Sequence, residues 1–159
     1  MIPQIALILT LIAQQHVAGV SEALVGKPAP PVSLELVDGK HFDLAQQRGK
    51  VVFLAFWATW CEPCRREIPR LIAAEGNHKD LVVVGVSSES RAEVLQFLKQ
   101  ERFDYFASGI DTDGKVSKAY GVYVVQRLFV IDQRGIVVKM IRGVPGEGTI
   151  QRVLAGLLP

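Results

Sequence analysis

Six consecutive apolar residues, Val51 to Phe56, run straight into Trp57-Ala58-Thr59-Trp60-Cys61-Glu62-Pro63-Cys64. A run this short, rich in β-branched and aromatic side chains, predicts a buried strand. The residues from Cys61 onward, with Ile68, Leu71 and Ile72 on one face, predict the helix that follows. Both cysteines of the chain therefore fall at one strand-to-helix junction. At a helix N-terminus, unpaired N–H groups and the helix dipole favour negative charge and lower the pKa of a thiol such as Cys61. Cys64 lies one turn further on and is expected to face inward, placed to attack a mixed disulfide formed at Cys61. Pro63 between them removes an N–H and stiffens the turn. The pattern reads as a redox-active pair with Cys61 the exposed nucleophile.

Three blander readings stay open beside it. A structural disulfide would close so short a loop that the unfolded chain is barely constrained. A zinc site normally takes four ligands, and no second cysteine pair exists. A redox fold can also persist after its activity is lost.

At 159 residues with 49% hydrophobic content, the chain is long and apolar enough for one globular domain. A net charge of +2 gives no basic excess of the kind that marks nucleic-acid binding. The first 21 residues are of a different kind, since they contain no Lys, Arg, Asp or Glu. Ile5 to Ala13 form a short apolar segment, followed by small residues at Ala18, Gly19, Ser21 and Ala23. This resembles a secretory signal peptide with its cleavage region, and the segment is shorter than the ~20 residues of a membrane span. The readings are a signal peptide or an N-terminal membrane anchor over residues 1–23, or a buried N-terminal helix, ahead of a domain over residues 24–159. Export would place the cysteines in an oxidising compartment.

Strand and helix signals alternate through the rest. Gly26 to Pro31 is extended, and Ser33 to Leu36 and His41 to Asp43 flank a turn signal at Asp38-Gly39, giving an N-terminal hairpin. The helix after Cys64 is expected to end at Gly76 and to kink at Pro69. Leu81 to Val86 predicts a second buried strand. Ser90 and Glu93 make a capping box for a helix burying Val94, Phe97 and Leu98. A turn at Asp111 to Gly114 and a short helix from Val116 to Tyr120 follow. Leu128 to Ile131 and Ile136 to Ile141 flank a second hairpin turn, and Ile150, Val153, Leu154, Leu157 and Leu158 mark a last amphipathic helix. The sum is an α/β fold with a central mixed β-sheet flanked by helices.

The chain from Gly26 onward resembles the TlpA/ResA-like thiol–disulfide oxidoreductases, exported members of the thioredoxin superfamily and kin to the AhpC/TSA and Redoxin groups. The resemblance rests on Gly26-x-x-Ala29-Pro30, Asp38-Gly39-Lys40, Gly49-Lys50-Val51-Val52 and, above all, Phe56 to Pro69. It implies a thioredoxin-like fold and protein-disulfide exchange through Cys61 and Cys64, with no cofactor. It also implies protein disulfide substrates such as apocytochromes c, an extracytoplasmic location and electrons from a membrane thiol-transfer protein. A peroxiredoxin-type peroxidase fits poorly, because Thr59-Trp60-Cys61 is one residue short of the Thr-x-x-Cys site. A non-enzymatic binding module is the other alternative.

Glu67 lies three residues beyond Cys64, on the same helical face. The resemblance gives it a proton-relay role at Cys64, and gives Glu89 a second active-site role in the loop after Leu81 to Val86. Each could instead be an ordinary helix charge. Ala55 stands where thioredoxin itself carries a buried aspartate. Trp57 is expected to pack inward and Trp60 to shape the substrate-facing surface. Arg65 and Arg66 read as exposed helix residues, and no catalytic or metal role attaches to His16, His41 or His78.

The stretch Tyr120 to Asp132 matches the segment that carries the superfamily's cis-proline. By that match Gln126 replaces the proline and Arg127 the usual small polar residue. Val125 is the residue whose backbone would pair with substrate. A cis bond before a non-proline residue costs about 2.5–4 kcal/mol. The Val125–Gln126 bond is therefore expected to be trans, the loop rearranged and substrate binding altered, and proline at 126 is expected to bring the family loop back.

Overall fold

The computed structural model describes residues 19–146 and 148–159. The apolar segment Ile5 to Ala13 and His16 lie outside the described residues, as does most of the leader or anchor reading. In chain order the elements begin with α1 (Val20–Ala23), β1 (Ser33–Glu35), β2 (His41–Asp43) and a 3-10 turn (Leu44–Gln47). They continue with β3 (Val51–Phe56), α2 (Glu62–Asn77), β4 (Leu81–Ser87), α3 (Arg91–Glu101) and β5 (Ser108–Ile110). The chain closes with α4 (Lys115–Ala119), β6 (Arg127–Ile131), β7 (Val137–Arg142) and α5 (Thr149–Ala155).

Five strands form one sheet in the order β5-β4-β3-β6-β7. β3 pairs parallel with β4 and antiparallel with β6, so the sheet is mixed about its central strand. Every residue of β3 is buried, because both faces of the sheet are covered. Val51, Phe53 and Ala55 face α2, α3 and α5 through Ile68, Leu71, Phe97 and Leu154. Val52, Leu54 and Phe56 face the other layer, with Leu34, Phe42, Tyr120 and Phe129. Burial on both faces explains why β3 reads as an unbroken apolar run rather than an alternating one.

The small hairpin β1–β2 lies beside β5, where Leu36 bridges to Gly109 and the Val37 N–H reaches the Ser108 carbonyl at 2.8 Å. At the opposite edge the segment before β1 runs along the start of β7. Pro28 bridges to Ile136 there, and the Gly26 N–H meets the Val137 carbonyl at 2.7 Å. Asp111 is buried and caps α4, its carboxylate accepting the N–H groups of Val116 and Ser117 at 3.0 and 2.8 Å.

The capping box of α3 is present, with Ser90 accepting from the Glu93 N–H and Glu93 accepting from the Ser90 N–H. The helix carrying the cysteines departs from expectation at its end. It runs through Gly76 to Asn77 and is capped at His78, whose N–H meets the Glu75 carbonyl, so glycine there lies inside the helix and is not its stop. Pro69 is inside α2 without ending it. The short strand β5 carries no sequence signal, being three residues with a glycine at the centre. Within the segment read as leader or anchor, Val20–Ala23 is a helical turn with Ser21 buried against the body. Among the described residues no helix is long and apolar enough to cross a membrane.

Candidate active site

β3 delivers the chain to Trp57 at the end of the sheet, and five residues later α2 begins. Cys61 is the N-cap of α2: its backbone is extended and its sulfur accepts the Cys64 N–H at 3.3 Å. Pro63 falls in the first turn, where its missing N–H costs nothing. Cys61 and Cys64 form a disulfide across that turn, with Cα atoms 5.3 Å apart. Both are buried in this oxidised state, Cys61 6% exposed and Cys64 1%. The expectation of an exposed Cys61 is corrected to this extent: in the oxidised pair it is the less buried cysteine, and it packs in the cluster that holds Trp57, Ala58 and Val125.

The loop ahead of Cys61 is fixed from β4. Glu89 accepts the Thr59 N–H at 2.8 Å and the Thr59 hydroxyl at 2.6 Å. The Ser87 hydroxyl donates to Glu89 at 3.0 Å, which helps hold the carboxylate in place. Trp57 is buried between Phe97 and Phe106 and donates its indole N–H to the Ser108 hydroxyl at 3.0 Å. Trp60 points outward, 71% exposed.

Glu67 is buried one turn beyond Cys64, and its Oε1 meets no donor. Burial pushes its carboxyl up to about 7, with the Arg70 charge opposing. A carboxyl at that value both accepts and returns a proton near neutral pH. Ala55, buried on the sheet face below α2, contributes no acid to this layer.

Across from the disulfide-bearing turn lies the loop from Gly121 to Gln126. Among the described residues every peptide bond is trans, Val125–Gln126 included. Gln126 has φ +71, left-handed for a residue with a side chain. Its N–H donates to the Phe56 carbonyl at 3.1 Å, and its carbonyl accepts from Gly143 at 3.2 Å and from the Arg127 guanidinium at 3.1 Å. Proline has no N–H and a φ near −65°, so it cannot take this place. The trans bond and rearranged loop are as expected, and proline at 126 could restore the family loop only by moving it out of this donor-based conformation. The Gln126 Nε2 is buried without an acceptor. Trp60, Glu89, Val122, Tyr123 and Val125 line a groove of about 230 Å³ beside the site, and the side chains of Tyr123 and Val124 are exposed.

Arg65 pairs with Glu62 and Glu101 and lies over the Phe97 ring, while Arg66 is exposed. His41 meets the Ser33 hydroxyl at 2.9 Å, and His78 caps α2. Thr59, Ser87 and Ser108 support the site with no sequence signal of it, because their partners lie far away in sequence or carry no local motif.

A disulfide strapped across the first turn of a helix is opened and closed by thiol exchange. Set at the end of this mixed sheet, it defines a thiol–disulfide oxidoreductase of the thioredoxin fold. The chain belongs to the Redoxin family, whose pattern matches residues 24–157. It is 37% identical over 137 residues to the thiol-disulfide oxidoreductase ResA of Bacillus subtilis (strain 168), covering 84% of this chain and 75% of that protein. It is 40% identical over 121 residues to the thiol:disulfide interchange protein DsbE of Yersinia pestis, covering 72% of this chain and 62% of that one. In structure it is similar to the exposed lipoprotein thioredoxin Etrx1 of Streptococcus pneumoniae strain TIGR4. That match has a TM-score of 0.72 at 30% identity and covers 80% of this chain and 100% of the other.

Proposed function

We propose that this oxidoreductase works outside the cytoplasm as a reductant of protein disulfides, of the kind that prepares apocytochromes c. A membrane thiol-transfer protein would return electrons to it. The observation that carries the reading is Glu67, a buried carboxyl at about 7 one turn behind Cys64. In the reduced protein the Cys61 thiolate attacks a substrate disulfide, forming a mixed disulfide and releasing one substrate thiolate. Glu67 takes the Cys64 proton, and the Cys64 thiolate attacks the Cys61 sulfur. The second substrate sulfur leaves and is protonated, and two electrons have passed from the pair to the substrate. The uncharged apolar segment Ile5 to Ala13 supports export, and the likeness to an exposed lipoprotein supports an extracytoplasmic location. Trp60, Pro63, Val125 and Gln126 are the residues proposed to meet the substrate.

The test is a trap. Cys64→Ser in the host cell should hold extracytoplasmic proteins on Cys61 as mixed disulfides, identified after non-reducing separation. Cys61→Ser should trap none. Recovery of cytoplasmic proteins alone, or trapping through Cys64 in preference to Cys61, sinks the reading.

A further inference from the structure

We propose that the N-terminal turn α1 braces the substrate-facing loop, with Ser21 and Glu22 as positioning residues that grip its two ends. The proposal rests on the functional reading above for what the loop does. At the near end the Ser21 hydroxyl, 4% exposed, lies 2.8 Å from the Tyr120 carbonyl and 3.0 Å from the Gly121 carbonyl. Gly121 sits at φ +64, and a Cβ there would come within 2.5 Å of Val20 Cβ and 3.0 Å of the Ser21 nitrogen. The turn and the loop thus touch backbone to backbone, a contact that only glycine allows.

At the far end Glu22 forms an ion pair with Arg142. Arg142 stands directly across the β6–β7 ladder from Arg127, the first residue after the loop. Like charges in that position repel, and the Glu22 carboxylate offsets the repulsion. Arg127 is then free to donate to the Gln126 carbonyl, the same oxygen that the N–H of Gly143, next to Arg142, also reaches. One four-residue turn therefore fixes both ends of the stretch from Gly121 to Gln126. Between those ends, Val124 and Val125 have no backbone partner among the described residues, and Tyr123 and Val124 are exposed. That open middle is the part an extended substrate segment would pair with, and its shape is inherited from the clamped ends. The turn lies at the end of the segment read as leader or anchor, so the brace is kept when the chain stays anchored or is cut ahead of Val20, and is lost when it is cut after Ala23.

The experiment uses the full chain with Ser21→Ala, Glu22→Gln, Glu22→Arg and the conservative Glu22→Asp. It reads amide hydrogen exchange across residues 120–127, KM and kcat for insulin reduction, and the reduction potential of the cysteine pair. Ser21→Ala, Glu22→Gln and Glu22→Arg should speed exchange in that stretch and raise KM about two- to tenfold, the range of one net hydrogen bond. The potential and kcat should hold, and Glu22→Asp, which keeps the charge, should stay closer to the parent than Glu22→Gln. Unchanged exchange in the first three variants overturns the proposal. So does a parallel fall in kcat and melting temperature with no change in KM. If Ser21→Ala does not fold, Glu22→Arg decides: parent-like exchange there overturns the brace. A parent protein unable to reduce insulin would sink the functional reading instead, while hydrogen exchange would still judge the brace.

Discussion

The carboxylate of Glu89 holds Thr59 at two points, the backbone N–H at 2.8 Å and the hydroxyl at 2.6 Å. Thr59 is two residues ahead of Cys61, and Glu89 follows the neighbouring parallel strand. The position of the nucleophile is thus set from β4 as well as from its own helix. Glu89→Ala leaves the Thr59 N–H without its acceptor and should destabilise the oxidised protein by about 1–3 kcal/mol. Urea unfolding at fixed pH measures this. Glu89→Gln, which keeps one acceptor oxygen, should lose less, and equal losses for the two variants would show that the pairing is not what matters.

Glu67 gives a pH dependence whose sign can be worked out. Its carboxyl is held at about 7 in the fold against an ordinary 4.5. Between those values the folded protein keeps a proton that the unfolded chain has released. Stability therefore falls as pH rises through that window, by up to about 3 kcal/mol once it is crossed. Glu67→Gln should flatten the curve, so that the oxidised variant gains on the parent between pH 5 and 8. Its insulin reduction at pH 7 should be slower, because no carboxylate receives the Cys64 proton. Stability curves that stay parallel across the range would mean that the carboxyl is not shifted.

Gln126 is held in a left-handed conformation that costs a side-chain-bearing residue about 1–2 kcal/mol. Glycine adopts it freely, so Gln126→Gly should stabilise the protein by about 0.5–1 kcal/mol, while Gln126→Pro should cost more than that gain. The proline variant loses the bond to the Phe56 carbonyl and cannot reach the angle. Thermal melts of the two variants beside the parent decide it. A proline variant as stable as the parent would mean that the loop refolds around it.

Gly85 marks a close approach behind the site. A Cβ there would lie 2.6 Å from the Trp57 indole nitrogen and 2.7 Å from Phe106. Both rings are buried, so neither can swing clear. Gly85→Ala should cost about 1–3 kcal/mol and displace Trp57 from Ser108. A melt and the intrinsic tryptophan emission of the buried indole follow both effects, and an unchanged melt would show that the rings have room to yield.

What the sequence discloses and what it hides divide along physical lines. β3 is legible because burial on both faces leaves no polar position, and α3 because its capping box is local. Cys61, Cys64 and Glu67 are legible because helical spacing alone puts them on one turn and one face. The grip of Glu89 on Thr59 is not, since it is made between loops 30 residues apart by a carboxylate and a hydroxyl that occur on any surface. β5 is too short to show a period. The left-handed turn at Gln126 is hidden because glutamine gives no sign of it. It is imposed by bonds to Phe56 in β3 and to Gly143 just past β7.

The two flanks of the five-stranded sheet bear on how such a protein keeps to itself at high concentration. β5 is three residues long and shielded by the Leu36 bridge. The start of β7 is occupied by the segment around Pro28, and its remainder carries Lys139 and Arg142. Short, covered or cationic borders resist the strand-on-strand growth that turns sheets into fibrils. A thiol–disulfide oxidoreductase that meets other protein chains is open to such growth. Here an incoming strand finds both borders of the sheet guarded by the protein's own N-terminal third and by positive charge.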